Sequence, residues 1–258
     1  MRVEEVQAFA TIASAASLPR SSGPFRTRTC LTNVLLIRKL YARLGFLRSA
    51  PTRYHIWHYN SHLWANTKWM DVTTLKSPSD MWNYQEILVS LQPSLVIEFG
   101  TRYGGSALYF AAVMRQIGKR FKILSVDIDA DTVSRKTRQD PDIELLTMSS
   151  TDPRVAARIA KLLDDYAGPV FAILDSDHAK DHVLGEMKLL RPLLRKGDYM
   201  IVEDSNVNGH PVYPSHGPGP YEAIEAYVRE FPSDYVLDAP REKKFGFTWA
   251  PSGFLIRR

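Results

Sequence analysis

The stretch that most limits what this chain can fold into is Leu95–Ser106, Leu-Val-Ile-Glu-Phe-Gly-Thr-Arg-Tyr-Gly-Gly-Ser. A short β-prone apolar run ends in an acid, turns on glycine and enters an alanine-rich helical pattern. A strand, a glycine loop and a helix in that order open a nucleotide-type α/β site.

The alternation continues downstream. The spacing predicts a helix over Gly105–Ile117 and strands over Phe121–Asp127, Ile143–Thr147, Val170–Asp175 and Tyr199–Glu203. Helices are expected from about Pro153, where proline suits a first turn, and over Lys180–Leu194. Upstream, Pro78–Leu91 reads as a helix with Asp80 near its start and Trp82, Tyr84, Ile87 and Leu91 on or near one face, stopped by Gln92-Pro93. A glycine- and proline-rich loop, Ser205–Pro220, leads to a helix at Tyr221–Phe231. Two short strands, near Tyr235–Leu237 and Gly253–Ile256, close the chain. The expected fold is α/β and Rossmann-like: a mostly parallel, seven-stranded sheet with helices on both faces. Ligands of such sheets sit beyond the carboxyl ends of the strands. Here those ends are rich in acids: Glu98, Asp127, Asp175, Glu203 and Asp204.

Charge divides the chain. Residues 1–58 carry nine Arg or Lys against two acids, Glu4 and Glu5, whereas the remainder carries 24 basic and 26 acidic residues. Residues 1–53 are expected to form a basic, partly helical extension, with an amphipathic helix over Leu31–Phe46. Residues 54–258 are expected to form the α/β domain, with a helical and aromatic lead-in over 54–92. A basic leader suits contact with a membrane surface, an organellar transit peptide, or an arm packed on the domain. Nucleic acid is not an expected partner, because the basic residues do not continue into the domain. The lone cysteine, Cys30, fits a reducing compartment, so a cytoplasmic protein is expected, membrane-associated through the leader if at all. Homo-oligomerisation stays open. The lead-in holds His55, His58 and His62 among Trp57, Trp64 and Trp69. Histidines at such spacing can bind metal, but aromatic packing or a substrate wall is the favoured reading.

Two constellations carry chemistry. In the first, Gly100, Gly104 and Gly105 remove side chains where a ligand approaches backbone or where strand and helix pack closely. Asp127 ends the next strand, 27 positions after Gly100, and an acid there accepts hydrogen bonds from both ribose hydroxyls of an adenosine. That suits a nicotinamide dinucleotide or S-adenosylmethionine (SAM). The loop lacks the second early glycine of dinucleotide sites, and Glu98 suits the cationic methionine portion of SAM better than a diphosphate. Both features tilt the reading to SAM. Ser150, in Ser149-Ser150-Thr151-Asp152, either contacts the adenine or belongs to a helix cap.

In the second, Asp175, Glu203 and Asp204 converge at neighbouring strand ends. Unpaired carboxylates repel and raise one another's pKa values. A hard divalent cation such as Mg²⁺ resolves that conflict, with helix capping as the bland alternative. A metal beside a methyl donor activates and orients a substrate hydroxyl. Asp175 and His178 are therefore the candidate catalytic residues, His178 as proton acceptor or as a loop hydrogen-bonding residue. His210 and Asn206, in the long loop, are candidate substrate contacts.

Glu-Phe-Gly-Thr-Arg-Tyr-Gly-Gly-Ser-Ala, Val-Asp-Ile-Asp, Ser-Ser-Thr-Asp-Pro, Leu-Asp-Ser-Asp-His and Val-Glu-Asp-Ser-Asn-Val-Asn-Gly-His-Pro-Val, with Gly-Pro-Gly-Pro, occur here in order. The chain from about Trp69 to its end thereby resembles the cephalosporin hydroxylase family, whose fold is that of SAM-dependent methyltransferases, and more distantly the catechol O-methyltransferase group. The resemblance implies SAM contacts at Glu98, Gly100, Gly104, Ser106 and Asp127, with Thr101, Gly105 and Ser150 beside them. It implies a Mg²⁺ set of Asp175, Glu203 and Asp204, with Asp177 as an alternative first ligand. The activity it implies is metal-dependent O-methyl transfer to a hydroxyl of a small metabolite, sugar or natural product. The alternatives are an NAD(P)-dependent oxidoreductase and a non-catalytic membrane-surface or partner-binding protein on the same fold.

Overall fold

The computed structural model describes residues 48–258. The amphipathic helix expected over Leu31–Phe46, and with it nearly all of the basic leader, lies outside the described residues.

The central sheet has seven strands in the order β5-β4-β3-β6-β7-β9-β8. These are β3 Leu95–Phe99, β4 Lys122–Asp127, β5 Ile143–Thr147, β6 Val170–Leu174, β7 Tyr199–Val202, β8 Tyr235–Leu237 and β9 Phe254–Arg257. The pairs among β3 to β7 are parallel, and β9 runs antiparallel to both β7 and β8. A two-residue-a-strand hairpin, β1 Lys68–Trp69 and β2 Val72–Thr73, stands apart.

Strand β3 is buried at every position, as a strand covered on both faces must be. Its alternate residues serve two cores. Leu95, Ile97 and Phe99 pack with Val155, Ile159, Val183, Met187 and Tyr227 from the helices of one face. Val96 packs with Tyr84, Ile87, Leu88, Phe110 and Met114 on the other. Glu98 shares that second face and so points into packed protein.

The helices start where the sequence predicts. Pro78–Leu91, Gly105–Ile117 and Pro153–Asp165 match their expected starts, and the last is capped by Asp152, whose side chain accepts the Arg154 N–H at 2.9 Å. The helix after β6 ends at Leu190 rather than Leu194. Trp82 does not belong to the buried face of Pro78–Leu91, since it is 59% exposed while Asp80, Asn83, Tyr84, Ile87 and Leu88 are buried. Two short helices, Arg135–Arg138 and Ala239–Lys243, have no counterpart in the sequence reading, whereas Ala50–Asn60 overlaps the lead-in expected to be helical.

From β3 the chain winds outward through β4 and β5, then returns past β3 to β6. That reversal opens a crevice beyond the carboxyl ends of β3 and β6. No helix among the described residues is long and apolar enough to cross a membrane.

Candidate active site

A cavity of about 740 Å³ fills the crevice. Gly100, Asp127, Ser150, Asp175, Asp177, His178 and Asp204 line it from the strand ends. Tyr59, Trp64, Tyr213, His216 and Trp249 supply aromatic walls. Two of the predicted groups thus meet in one space.

Gly100 turns out of β3 at φ +97°. A Cβ there would lie 1.9 Å from the Asp175 carbonyl oxygen, so only glycine lets the first loop pass the end of β6. Gly104 and Gly105 are kept small for a different reason. Their added Cβ atoms would strike Thr137 and Thr74, and neither glycine lines the cavity.

Asp127 is anchored by the Arg102 N–H at 2.8 Å and the Asp129 N–H at 3.0 Å, and it faces the cavity with acceptor capacity left. Ser150 also faces the cavity, while its neighbour Asp152 does the capping. Behind Ser150 is a network that sequence reasoning missed. The Ser150 and Ser176 hydroxyls both donate to Glu186 at 2.5 Å, and His182 Nε2 is 2.9 Å from the Ser150 oxygen.

Glu98, Thr101 and Ser106 lie behind the cavity wall. Glu98 is fully buried, and its two oxygens accept the Ser106 and Ser125 hydroxyls at 2.5 Å each. Thr101 shares a 2.7 Å hydrogen bond with the Ser125 hydroxyl. None of the three lines the cavity. Their role is to tie β3, β4 and the first helical turn together beneath the loop. Burial pushes the Glu98 carboxyl up to about 7. A carboxyl raised on folding adds stability below its unfolded pKa and loses it as pH rises through the folded one. Between pH 5 and 8 the wild type should therefore lose on the order of 3 kcal/mol that Glu98→Gln does not lose. Urea unfolding at stepped pH measures this, and parallel slopes for the two proteins would refute the assignment.

The acidic constellation is divided by a lysine. Lys76, fully buried, bonds Asp175 and lies 3.2 Å from Glu203. Burial opposes its charge, but the carboxylates of Asp175 and Glu203 outweigh that and hold it well above the ordinary lysine range. Glu203 also accepts the Tyr84 hydroxyl at 2.6 Å. The expected group of Asp175, Glu203 and Asp204 thus encloses a lysine, which contacts both Asp175 and Glu203. Asp175, His178 and Asp204 present ligand atoms within 4.8 Å of one another, while Glu203 is turned to Lys76 and Tyr84 and does not line the cavity. Asp177 accepts the Ala179 N–H at 2.8 Å and stays outside the cluster. Asp204 holds a left-handed φ of +50°, an uncommon conformation for a non-glycine residue that recurs at functional sites. His178 Nε2 is 3.2 Å from Asp204. Burial works against the imidazolium, but Asp204 and Asp175 raise its pKa above the usual value.

Two expected substrate contacts lie elsewhere. Asn206 is fully buried and donates to His55 Nε2 at 2.8 Å. His210 stacks on Tyr221 with ring centroids 3.8 Å apart, lies 3.0 Å from Glu222 and borders a second, smaller pocket. The lead-in histidines do not gather as metal ligands. His55 packs on Phe247 and His58 on Trp249. Burial, then the neighbouring His58, lowers the His55 pKa to about 4, the neutral ring of a packed histidine.

Comparison with known proteins agrees with this architecture. A family model described as Rhamnosyl O-methyltransferase/CmcI matches residues 61–258. A rhamnosyl O-methyltransferase of Mycobacterium tuberculosis is 57% identical over 240 residues, 90% of this chain and 98% of the relative. One from Mycobacterium leprae is 56% identical over 227 residues, 86% and 99% of the two chains. Among solved structures, CmcI with Mg and SAM superposes with a TM-score of 0.61 at 22% identity, over 75% of this chain and 77% of that one. A putative caffeoyl-CoA O-methyltransferase from Staphylococcus aureus gives 0.52 at 10% identity, over 87% and 100%. With a seven-stranded methyltransferase sheet, an acidic cavity at its switch point and relatives alike over nearly their whole length, this chain belongs to the rhamnosyl O-methyltransferase/CmcI family.

Proposed function

We propose that this protein is a SAM-dependent O-methyltransferase whose acceptor is a hydroxyl of a rhamnosyl residue, and that a divalent cation of the Mg²⁺ type is held by Asp175 and Asp204. The observation that carries the reading is the meeting, on one cavity, of the glycine turn and Asp127 with the cluster of Asp175, His178 and Asp204. The high identity to mycobacterial rhamnosyl O-methyltransferases supports the choice of acceptor.

The residues fit the cation. Two half-buried carboxylates with room for water are the donor set Mg²⁺ favours. When bound, such an ion lowers the pKa of the acceptor hydroxyl and offsets the charge of the acids. Gly100 lets the donor approach the backbone, and Asp127 takes the ribose hydroxyls. The acceptor oxygen forms a bond to the donor's methyl carbon as the sulfur–carbon bond breaks. S-adenosylhomocysteine (SAH) leaves, and His178 Nε2 takes the hydroxyl proton. Methyl transfer of this kind depends on alignment more than on acid strength, which is consistent with the rigid anchoring of Asp127 and Asp175.

Full-length protein with SAM, Mg²⁺ and a rhamnosyl glycoside should yield a mono-methylated sugar by mass spectrometry. EDTA should abolish it, and Asp204→Asn should lower kcat by about 10²-fold or more while SAM binding by calorimetry is kept. Undiminished turnover in EDTA would remove the metal from the reading, and absence of methylated rhamnoside would remove the acceptor.

A further inference from the structure

Aromatic rings make up part of the cavity wall. Tyr59 and Trp64 come from the lead-in and Trp249 from the loop before β9. Their rings form one corner. Tyr59 stacks on Trp64 with centroids 6.1 Å apart, and Trp249 meets both edge-on, at 6.0 and 5.7 Å. The corner is fixed in place. Trp64 Nε1 donates to the Tyr59 carbonyl at 3.0 Å. Buried Asp80 accepts the Trp249 N–H at 2.8 Å and the Thr248 hydroxyl at 2.7 Å. Such pinning leaves the rings preorganised.

Two further facts point to a ligand. Tyr59 and Trp64 are only partly buried and line the cavity, with Trp249, 3% exposed, packed against both rings. Tyr59 is also close enough to Asp204 for that charge, after burial, to raise its phenol pKa, so the corner adjoins the reacting end of the cavity. The strand-end side, with Gly100, Asp127 and Ser150, suits the polar donor. The aromatic side suits a ligand with a flat C–H face and hydroxyls at its edge.

We infer that Tyr59 and Trp64, backed by Trp249, form the acceptor subsite and grip the apolar face of the sugar ring. This rests on the reading of the acceptor as a rhamnosyl group. A deoxyhexose, with a methyl where other hexoses carry a hydroxymethyl, presents more apolar surface to such a corner. The acids beyond it then meet the hydroxyl that is methylated.

The test uses full-length protein saturated with SAH and Mg²⁺, titrated calorimetrically with methyl α-L-rhamnopyranoside. Trp64→Ala should weaken rhamnoside binding about 30-fold, the loss expected of a buried tryptophan anchor, with the SAH dissociation constant unchanged within about twofold. Trp249→Ala removes the ring that backs the corner and should weaken it by about 10-fold. Unchanged SAH affinity certifies that each variant is folded. Should Trp64→Ala destabilise the lead-in, Tyr59→Leu serves in its place. Rhamnoside affinity equal to wild type in the variants would overturn the subsite, as would wild-type protein that does not bind the rhamnoside. Methyl transfer to the same rhamnoside, assayed separately on the wild type, decides the function independently. A rhamnoside bound through the tryptophans but not methylated would support the subsite and sink the proposed reaction.

Discussion

Lys76→Met is expected to lower the unfolding free energy by about 3–5 kcal/mol, the cost of removing one partner of a buried charge group. In a domain of this size that is a fall of roughly 10 °C in Tm. Lys76 is the one cation bonded to both Asp175 and Glu203 among the described residues. Methionine fills similar volume but leaves two acids buried without a counter-charge. Both would be pushed still further above the ordinary carboxylate range. Acids raised on folding favour the folded state at low pH and disfavour it as pH rises. The variant's deficit should therefore be small near pH 4 and widen toward pH 8. Thermal melts in EDTA across that range provide the check. Equal midpoints at pH 8 would mean that something other than Lys76 neutralises the pair. Activity should fall with stability, because Asp175 would lose the contact that fixes its carboxylate beside Asp204.

Gly100→Ala is expected to cost roughly 3–5 kcal/mol, from backbone strain and overpacking together. The strain arises at φ +97°, and the overpacking from a Cβ 1.9 Å from the Asp175 carbonyl. Relief requires the first loop and the end of β6 to part, which would move Asp175 and weaken SAM binding as well. Gly118→Ala provides the control. Gly118 also holds a positive φ, of +76°, but nothing lies within 4 Å of its added Cβ. It should lose only about 1 kcal/mol, the penalty of the left-handed conformation. Equal losses at the two positions would show that the carbonyl contact is not what demands glycine at 100.

Much of the fold was legible because its signals are local. Leu95–Phe99 is apolar and short, Gly118 and Gln92 mark helix ends, and Pro153 follows a capping aspartate. The short helices escaped because Arg135–Arg138 and Ala239–Lys243 are too brief to show a period. In the site, residues that end parallel strands were readable, since strand ends of such a sheet share one side. Asp127, Asp175 and Asp204 fall there together. The bonds of Glu98 to Ser106 and Ser125 were not legible, because they depend on which face of the strand its side chain takes. The pairing of Glu203 with Lys76 was not legible, because nothing near Glu203 in the sequence announces that lysine. The partners of Asn206 and His210 were not legible, because loop residues carry no period to indicate which side they face.

By itself the sequence determined the order of strands and helices, the glycine at the first turn and the acids at the strand ends, because these follow from local sterics and from the geometry of parallel sheets. Only the tertiary structure decided how those acids divide. Lys76 reaches Asp175 across 99 positions and Tyr84 reaches Glu203 across 119, so the fold alone turns Glu203 inward and leaves Asp175, His178 and Asp204 facing the cavity. The physical reason is that a buried carboxylate must find a counter-charge or a donor wherever the packed chain supplies one, however distant in sequence.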